Sequence, residues 1–227
     1  MENISSTLRS HELTQRNLNA AITDLQKIPE KIKVLFLASN PDGTGQLRLD
    51  EEARDIYEKI RLSEYRDSVE FVTRWAVRTS DILQAINETN PTVIHFSGHG
   101  TDTDELVLQN TDGSIKLVSK EVIVQVISTV TDKVRLVYFN TCFSYGQAEA
   151  IVEHIDAAIG MTQAVGDEAA KVFASYFYSA IGFGKSLEVA FKQAQAALLL
   201  EGISGEDTPK LYINAALNAD EVILVRP

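Results

Sequence analysis

The sequence holds one cysteine, Cys142, in 227 residues. An intrachain disulfide is therefore excluded, which fits a reducing compartment. No apolar run approaches the roughly 20 residues of a membrane-spanning helix. The opening residues, Met1-Glu2-Asn3-Ile4-Ser5-Ser6, lack both the basic and the apolar region of a signal peptide. These absences lead us to expect a cytoplasmic protein without membrane attachment. Basic residues are also in deficit, with 21 Lys and Arg against 32 Asp and Glu, a formal net charge of −11. Such a chain is not expected to bind nucleic acid directly, because phosphate backbones are held by positive surface. The acidity instead serves solubility or draws a basic partner.

Several chemical signatures are missing as well. The loop Asn40-Pro41-Asp42-Gly43-Thr44-Gly45 lacks the Gly-Lys-Ser/Thr ending of a P-loop and the Gly-x-Gly-x-x-Gly of a dinucleotide-binding turn. It runs into Asp50-Glu51-Glu52, which repels phosphate. A flavodoxin-like or response-regulator-like domain needs a phosphate site or an acceptor carboxylate after the first strand, where only Asp42 is available. No His, Cys and carboxylate cluster has metal-ligand spacing, so neither metal nor cofactor is expected. Ser97 and Ser144 stand outside any Gly-x-Ser-x-Gly elbow and read as turn residues.

What is present is an alternation of strands and helices, with no internal repeat. The length suits one domain or two small ones. Residues 3–28 read as a helix, with Leu18, Ala21, Ile22, Leu25 and Ile28 at helical spacing and Pro29 stopping it. It packs on the domain or belongs to the tail of an upstream module, and its apolar stripe favours packing. Residues 1–30 are thus set apart as a helix or linker from a domain over 31–227. Strands are expected over 32–38, 69–75 and 157–161, and at the beginnings of the stretches Val93–Gly100 and Leu136–Ser144. Leu211-Tyr212-Ile213 and Val222-Ile223-Leu224-Val225 are candidates to close the sheet edge. Between these lie helices carrying Leu49, Ala53, Ile56, Tyr57 and Ile60; Ile82, Leu83 and Ile86, capped by Thr79 or Ser80; and Val122, Ile123, Val126 and Ile127, capped by Ser119. Further helices begin near Gly146, Ala169 and Leu187. Asp112-Gly113 marks a hairpin. The pattern implies an α/β fold with a mostly parallel sheet covered by helices on both faces.

Two strands end where chemistry can begin. Val93-Ile94-His95-Phe96-Ser97-Gly98-His99-Gly100 delivers His99 between glycines, and Leu136-Val137-Tyr138-Phe139-Asn140-Thr141-Cys142 delivers the thiol. In open α/β sheets, sites form beyond the carboxyl ends of strands. If these two strands are neighbours, His99 and Cys142 share one rim as base and nucleophile. The N–H groups of Gly100 and Cys142 are then candidate oxyanion donors. Against this stands the base rate, since a lone cysteine at a strand end is more often core. His95 lies inside its strand and reads as structural, His11 as solvated, and His154 as a surface residue and backup base.

His-Phe-Ser-Gly-His-Gly and Asn-Thr-Cys-Phe-Ser resemble the paired motifs of CHAT domains. These are caspase-like cysteine peptidases of bacteria and some eukaryotes, related to caspases, metacaspases and separase. Leu35-Phe36-Leu37-Ala38-Ser39-Asn40-Pro41, the helix over 49–60 and Pro209-Lys210-Leu211-Tyr212 are similar to the same family, so the resemblance covers roughly 31–226. It implies a caspase-like three-layer sandwich, with His99 as general base, Cys142 as nucleophile, and Gly100 and Cys142 as oxyanion-hole amides. Metacaspases place Asp two residues before the cysteine, where it helps bind a basic P1 side chain; here Asn140 stands there. Asp102, Asp104 and Glu105 are the other candidates for acidity near the cleft, although loop carboxylates are more often plain surface. The resemblance further implies regulated cleavage of a protein substrate, with a regulatory or sensor protein, in bacterial defence or cell-death signalling. A catalytically silent caspase-like interaction module is the alternative.

Overall fold

The computed structural model describes residues 14–15 and 31–226. The chain divides into two units, Met1–Glu30 and Lys31–Pro227. Apart from Thr14 and Gln15, which are helical, the helix expected over 3–28 lies outside the described residues.

The second unit is built on a six-stranded sheet. Its strands are β1 (Ile32–Ser39), β2 (Val69–Arg74), β3 (Val93–Gly98), β6 (Leu136–Asn140), β7 (Ala157–Met161) and β8 (Pro209–Ile213), in the order β2-β1-β3-β6-β7-β8. Every pairing is parallel except β7 with β8. Strands β4 (Glu105–Gln109) and β5 (Ile115–Ser119) form a separate antiparallel hairpin.

Side-chain alternation along the central strands feeds two cores. On β1, Val34, Phe36 and Ala38 face one way, into a core shared with α1 (Leu49–Arg61), α5 (Asp167–Gly182) and α6 (Leu187–Leu200). Leu35 and Leu37 face the other, with α2 (Thr79–Thr89), α3 (Lys120–Ser128), α4 (Tyr145–Ile151) and the hairpin. All of β3 and β6 is buried, as expected for strands covered on both sides. The result is a three-layer sandwich. None of the helices described is long and apolar enough to cross a membrane.

Four local expectations are corrected. Val222-Ile223-Leu224-Val225 joins no ladder beyond one bridge between Ile223 and Ser186; its valines and leucine are buried in the first core instead. Helix α2 takes neither hydroxyl as its cap. Its N-cap is Arg78, whose backbone N–H donates to the Asp81 carboxylate at 3.0 Å. Ser119 is the N-cap of α3, but its side chain makes no capping bond. On α1, Tyr57 is half exposed, and the inward position on that face is held by Glu52, which is 3% exposed. Leu83 and Val122 likewise face outward.

Candidate active site

The register of the two central strands sets the site. Ser97 on β3 pairs with Asn140 on β6. Each stands two residues before a candidate catalytic residue, so His99 and Cys142 leave adjacent parallel strands at the same rim. The chains stay close beyond the ladder. A Cβ on Gly100 would lie 2.2 Å from the Cys142 carbonyl oxygen, so only glycine permits this approach. A Cβ on Gly98 would lie 2.4 Å from the Ser39 carbonyl oxygen. After Cys142, Phe143 takes a left-handed conformation (φ 54°), an uncommon one for a bulky residue. Ser144 fixes the turn: its Oγ donates to the Thr141 carbonyl at 2.7 Å and accepts from the Met161 N–H at 3.0 Å.

His99 is held by its Nε2, which lies 2.7 Å from the Gly45 carbonyl and 3.2 Å from Asn40 Oδ1. The Gly45 carbonyl can only accept. Nε2 therefore carries a proton, and in the neutral imidazole this leaves the lone pair on Nδ1, the arrangement a general base needs. Among the described residues no hydrogen bond joins His99 to Cys142, whose side chain is partly buried. The N–H groups of Gly100 and Cys142 have no acceptor among the described residues either. The bonds flanking Gly100, Val107 N–H to the His99 carbonyl and Thr101 N–H to the Glu105 carbonyl, skip it. Two backbone donors are thus vacant beside the thiol.

Under this rim lies a buried polar network that sequence reasoning missed. Glu52, in the first turn of α1, accepts from Ser97 Oγ at 2.5 Å and from Asn140 Nδ2 at 2.7 Å. His95 is fully buried, with Nε2 3.0 Å from Glu52 Oε1, though not aligned for a hydrogen bond. Its Nδ1 meets the Tyr178 hydroxyl at 3.1 Å. Burial, and after it the Glu52 charge, hold the Tyr138 and Tyr178 hydroxyls well above the usual phenol range, so both stay neutral. His95 thus has a structural setting, as its place in the strand implies. The signal for Glu52 is in its spacing: three residues after Leu49 and four before Ile56, it falls on the apolar face.

The remaining candidates are placed as follows. Asn140 is 4% exposed, and its amide is engaged by Glu52. Asp104 (φ 61°) pairs with Lys120 at 3.1 Å, and its carbonyl accepts from Gln147 at 2.8 Å. Asp102 is exposed and has no ion pair among the described residues. His154 is exposed beyond the end of α4, near the start of β7 and so at the opposite end of the parallel strands from Cys142. His11 lies outside the described residues. Among the described residues no metal-binding group of His, Cys, Asp and Glu is found. A cavity of about 290 Å³, lined by Asn40, Leu47, Leu49, Asp50 and Trp75 among others, adjoins His99 through Asn40.

With this geometry the chain can be set beside known proteins. It is 26% identical over 193 residues to a probable protease of Gillisia limnaea, and 25% identical over 173 residues to a Roc-COR-CHAT protease of an unknown prokaryotic organism. These matches take in 83% and 73% of the chain but only 34% and 16% of the relatives' lengths. Among solved structures, caspase-1 of Spodoptera frugiperda superposes with a TM-score of 0.54 at 7% identity, over 82% of this chain and 86% of that one. The Drosophila initiator caspase Dronc gives 0.50 at 10% identity, over 85% of each chain. At such identities the likeness shows the fold alone, and that fold is the caspase sandwich. The CHAT domain family matches residues 2–208, nearly the whole sequence. The chain therefore belongs to the CHAT domain family.

Proposed function

We propose that the chain is a cysteine endopeptidase that cleaves a partner protein through His99 and Cys142. The observation carrying this reading is the Ser97–Asn140 pairing, by which both residues leave neighbouring strands at one rim, with the Nε2 of His99 turned to the Gly45 carbonyl. In the proposed reaction Nδ1 takes the proton from Cys142 Sγ, and the thiolate attacks the scissile carbonyl carbon. The resulting oxyanion receives the vacant N–H groups of Gly100 and Cys142. The imidazolium then protonates the leaving amine, giving an acyl-enzyme. Water, deprotonated by the same imidazole, releases the acyl group and restores the thiol. Losing one oxyanion donor typically costs about 3–4 kcal/mol of transition-state stabilisation.

Asp102 is the carboxylate left to meet a basic substrate side chain, since Asp104 pairs with Lys120, Glu105 accepts from Thr101 and Thr103, and the Asn140 amide is held by Glu52. The relatives named as proteases and the caspase fold support peptidase activity. Control by a regulatory or sensor partner is part of the same reading, as one relative is named a Roc-COR-CHAT protease, with further modules beside its CHAT part. We place this in cytoplasmic bacterial defence or cell-death signalling, with residues 1–30 as a docking element or linker to the peptidase domain over 31–227. The test is gel-based cleavage of candidate partner proteins encoded beside the gene. Wild type should cut one exposed bond, and Cys142→Ala and His99→Ala should cut none while still binding the partner. Undiminished cleavage by Cys142→Ala would reject the nucleophile assignment. Tight binding without cleavage by wild type would replace this reading with the interaction module.

A further inference from the structure

We infer that Glu52 is a positioning residue for the candidate dyad. From α1 it ties together the two strand ends that carry His99 and Cys142. The inference rests on the peptidase reading above.

Burial alone does not explain a carboxyl group here. Glu52 is 3% exposed, and among the described residues it has no Lys or Arg partner. The one side chain near it able to carry a positive charge is the buried His95, whose Nε2 lies 3.0 Å from Oε1 without aligning for a hydrogen bond; burying a carboxyl group in this way costs stability, and an apolar residue at an inward helical position costs none. What the carboxyl group does have is one oxygen on each of two strands, Oε2 to Ser97 of β3 and Oε1 to Asn140 of β6. Ser97 and Asn140 are partners across the ladder, and theirs is the final pair of the β3–β6 register. Beyond it the ladder no longer sets the spacing of the two chains.

The strand ends beyond that tie have little freedom of their own. The Gly98 and Gly100 backbones lie against the Ser39 and Cys142 carbonyls, and Ser144 pins the turn after the cysteine. A displacement of Ser97 against Asn140 is therefore passed on to His99 and Cys142. A 1 Å misplacement of reacting groups can cost about 100-fold in rate. The helix end adds to this: Glu52 sits in the first turn of α1, where the helix dipole favours a carboxylate.

The test compares rates of Cys142 alkylation at pH 7 by a peptidyl chloromethyl ketone and by iodoacetamide, together with thermal melting. The variants are Glu52→Gln, Asn140→Asp, the double variant, and His99→Ala as the reference for a thiol without its base. Glu52→Gln keeps the shape but has one acceptor oxygen instead of two. It should fall about 10- to 100-fold towards the His99→Ala rate, at a temperature where it remains folded. Asn140→Asp alone sets two carboxyl groups face to face and should lower both rate and melting temperature. In the double variant the amide and the carboxylate have changed places. The amide now on α1 donates to the carboxylate now on β6, so the tie returns with its polarity reversed and much of the rate should return with it. A purely structural role predicts lower melting temperatures with wild-type rates in the folded protein, and that result overturns the inference. So does a Glu52→Gln variant that keeps its iodoacetamide rate and changes only which P1 residue of the ketone is preferred, because Glu52 would then be reading substrate. If wild type and His99→Ala are alkylated equally, the dyad itself fails and this inference falls with it. If wild type is faster and Glu52→Gln matches wild type, only the role of Glu52 fails.

Discussion

At the scale of single residues the site depends on close backbone approach. Gly100→Ala drives a methyl group into the Cys142 carbonyl, a backbone atom that no side-chain rotation can move away. We expect it to cost about 1–3 kcal/mol, the usual penalty for overpacking, and to slow Cys142 alkylation; urea unfolding and a labelling time course check both. A variant that keeps wild-type stability and labelling would show that the two chains separate without penalty. His99, Gly100 and Cys142 are legible as candidates in the sequence because each follows within a few residues a short segment rich in apolar residues, Val93–Phe96 or Leu136–Phe139. Glu52 is not, because Asp50-Glu51-Glu52 reads as one solvated acidic turn, and only the contact of α1 with β3 and β6 singles out the third carboxylate. The substrate role expected of Asn140 meets the same difficulty. Its distance from Cys142 is plain in the sequence, but its hydrogen-bond partner is 88 residues away.

At the scale of elements, α2 gives a pH-dependent prediction. The Arg78 side chain, and with it the Arg78 backbone N–H, hold the Asp81 carboxyl below its usual range. A carboxyl lowered in the fold stabilises it above the unfolded carboxylate range, and that contribution is lost as pH falls through the folded value. Asp81→Asn should therefore cost about 0.5–1 kcal/mol at pH 7, and its deficit should shrink towards zero in acid, as pH falls through the folded value. Chemical denaturation at neutral and acid pH measures this, and a deficit that persists in acid would assign the cost to packing. Strands β1, β3 and β6 are legible because burial on both faces makes apolar residues predominate on consecutive positions. Val222-Ile223-Leu224-Val225 has the same look without a ladder, because apolar side chains are buried whether or not their backbone pairs. The α2 cap is hard to read for a related reason: hydroxyls and a carboxylate compete for the first turn, and composition does not say which one wins.

At the scale of the whole molecule, the two cores carry the buried apolar residues of the second unit. Phe177 is fully buried between Tyr138 and Tyr178, so Phe177→Ala should destabilise by about 3–5 kcal/mol, measured by urea unfolding; a loss under about 1 kcal/mol would mean that the α5 layer collapses around the gap. With a formal charge of −11, the protein should not shift duplex DNA in a gel at physiological salt, and a salt-sensitive complex would contradict the expected lack of nucleic-acid binding. The free protein should also leave casein uncut, as a peptidase awaiting its partner would. The sandwich has one more consequence, which concerns the order of synthesis. Glu52, Ser97, Asn140 and Tyr178 come from four distant stretches, and the layer over that face is completed by α5 and α6, which follow Cys142 in the chain. On the ribosome the thiol is therefore made well before the scaffold that would arm it. A copy ending before residue 167 would carry the proposed nucleophile without that layer, so on the peptidase reading the site would be complete only once translation has passed α6.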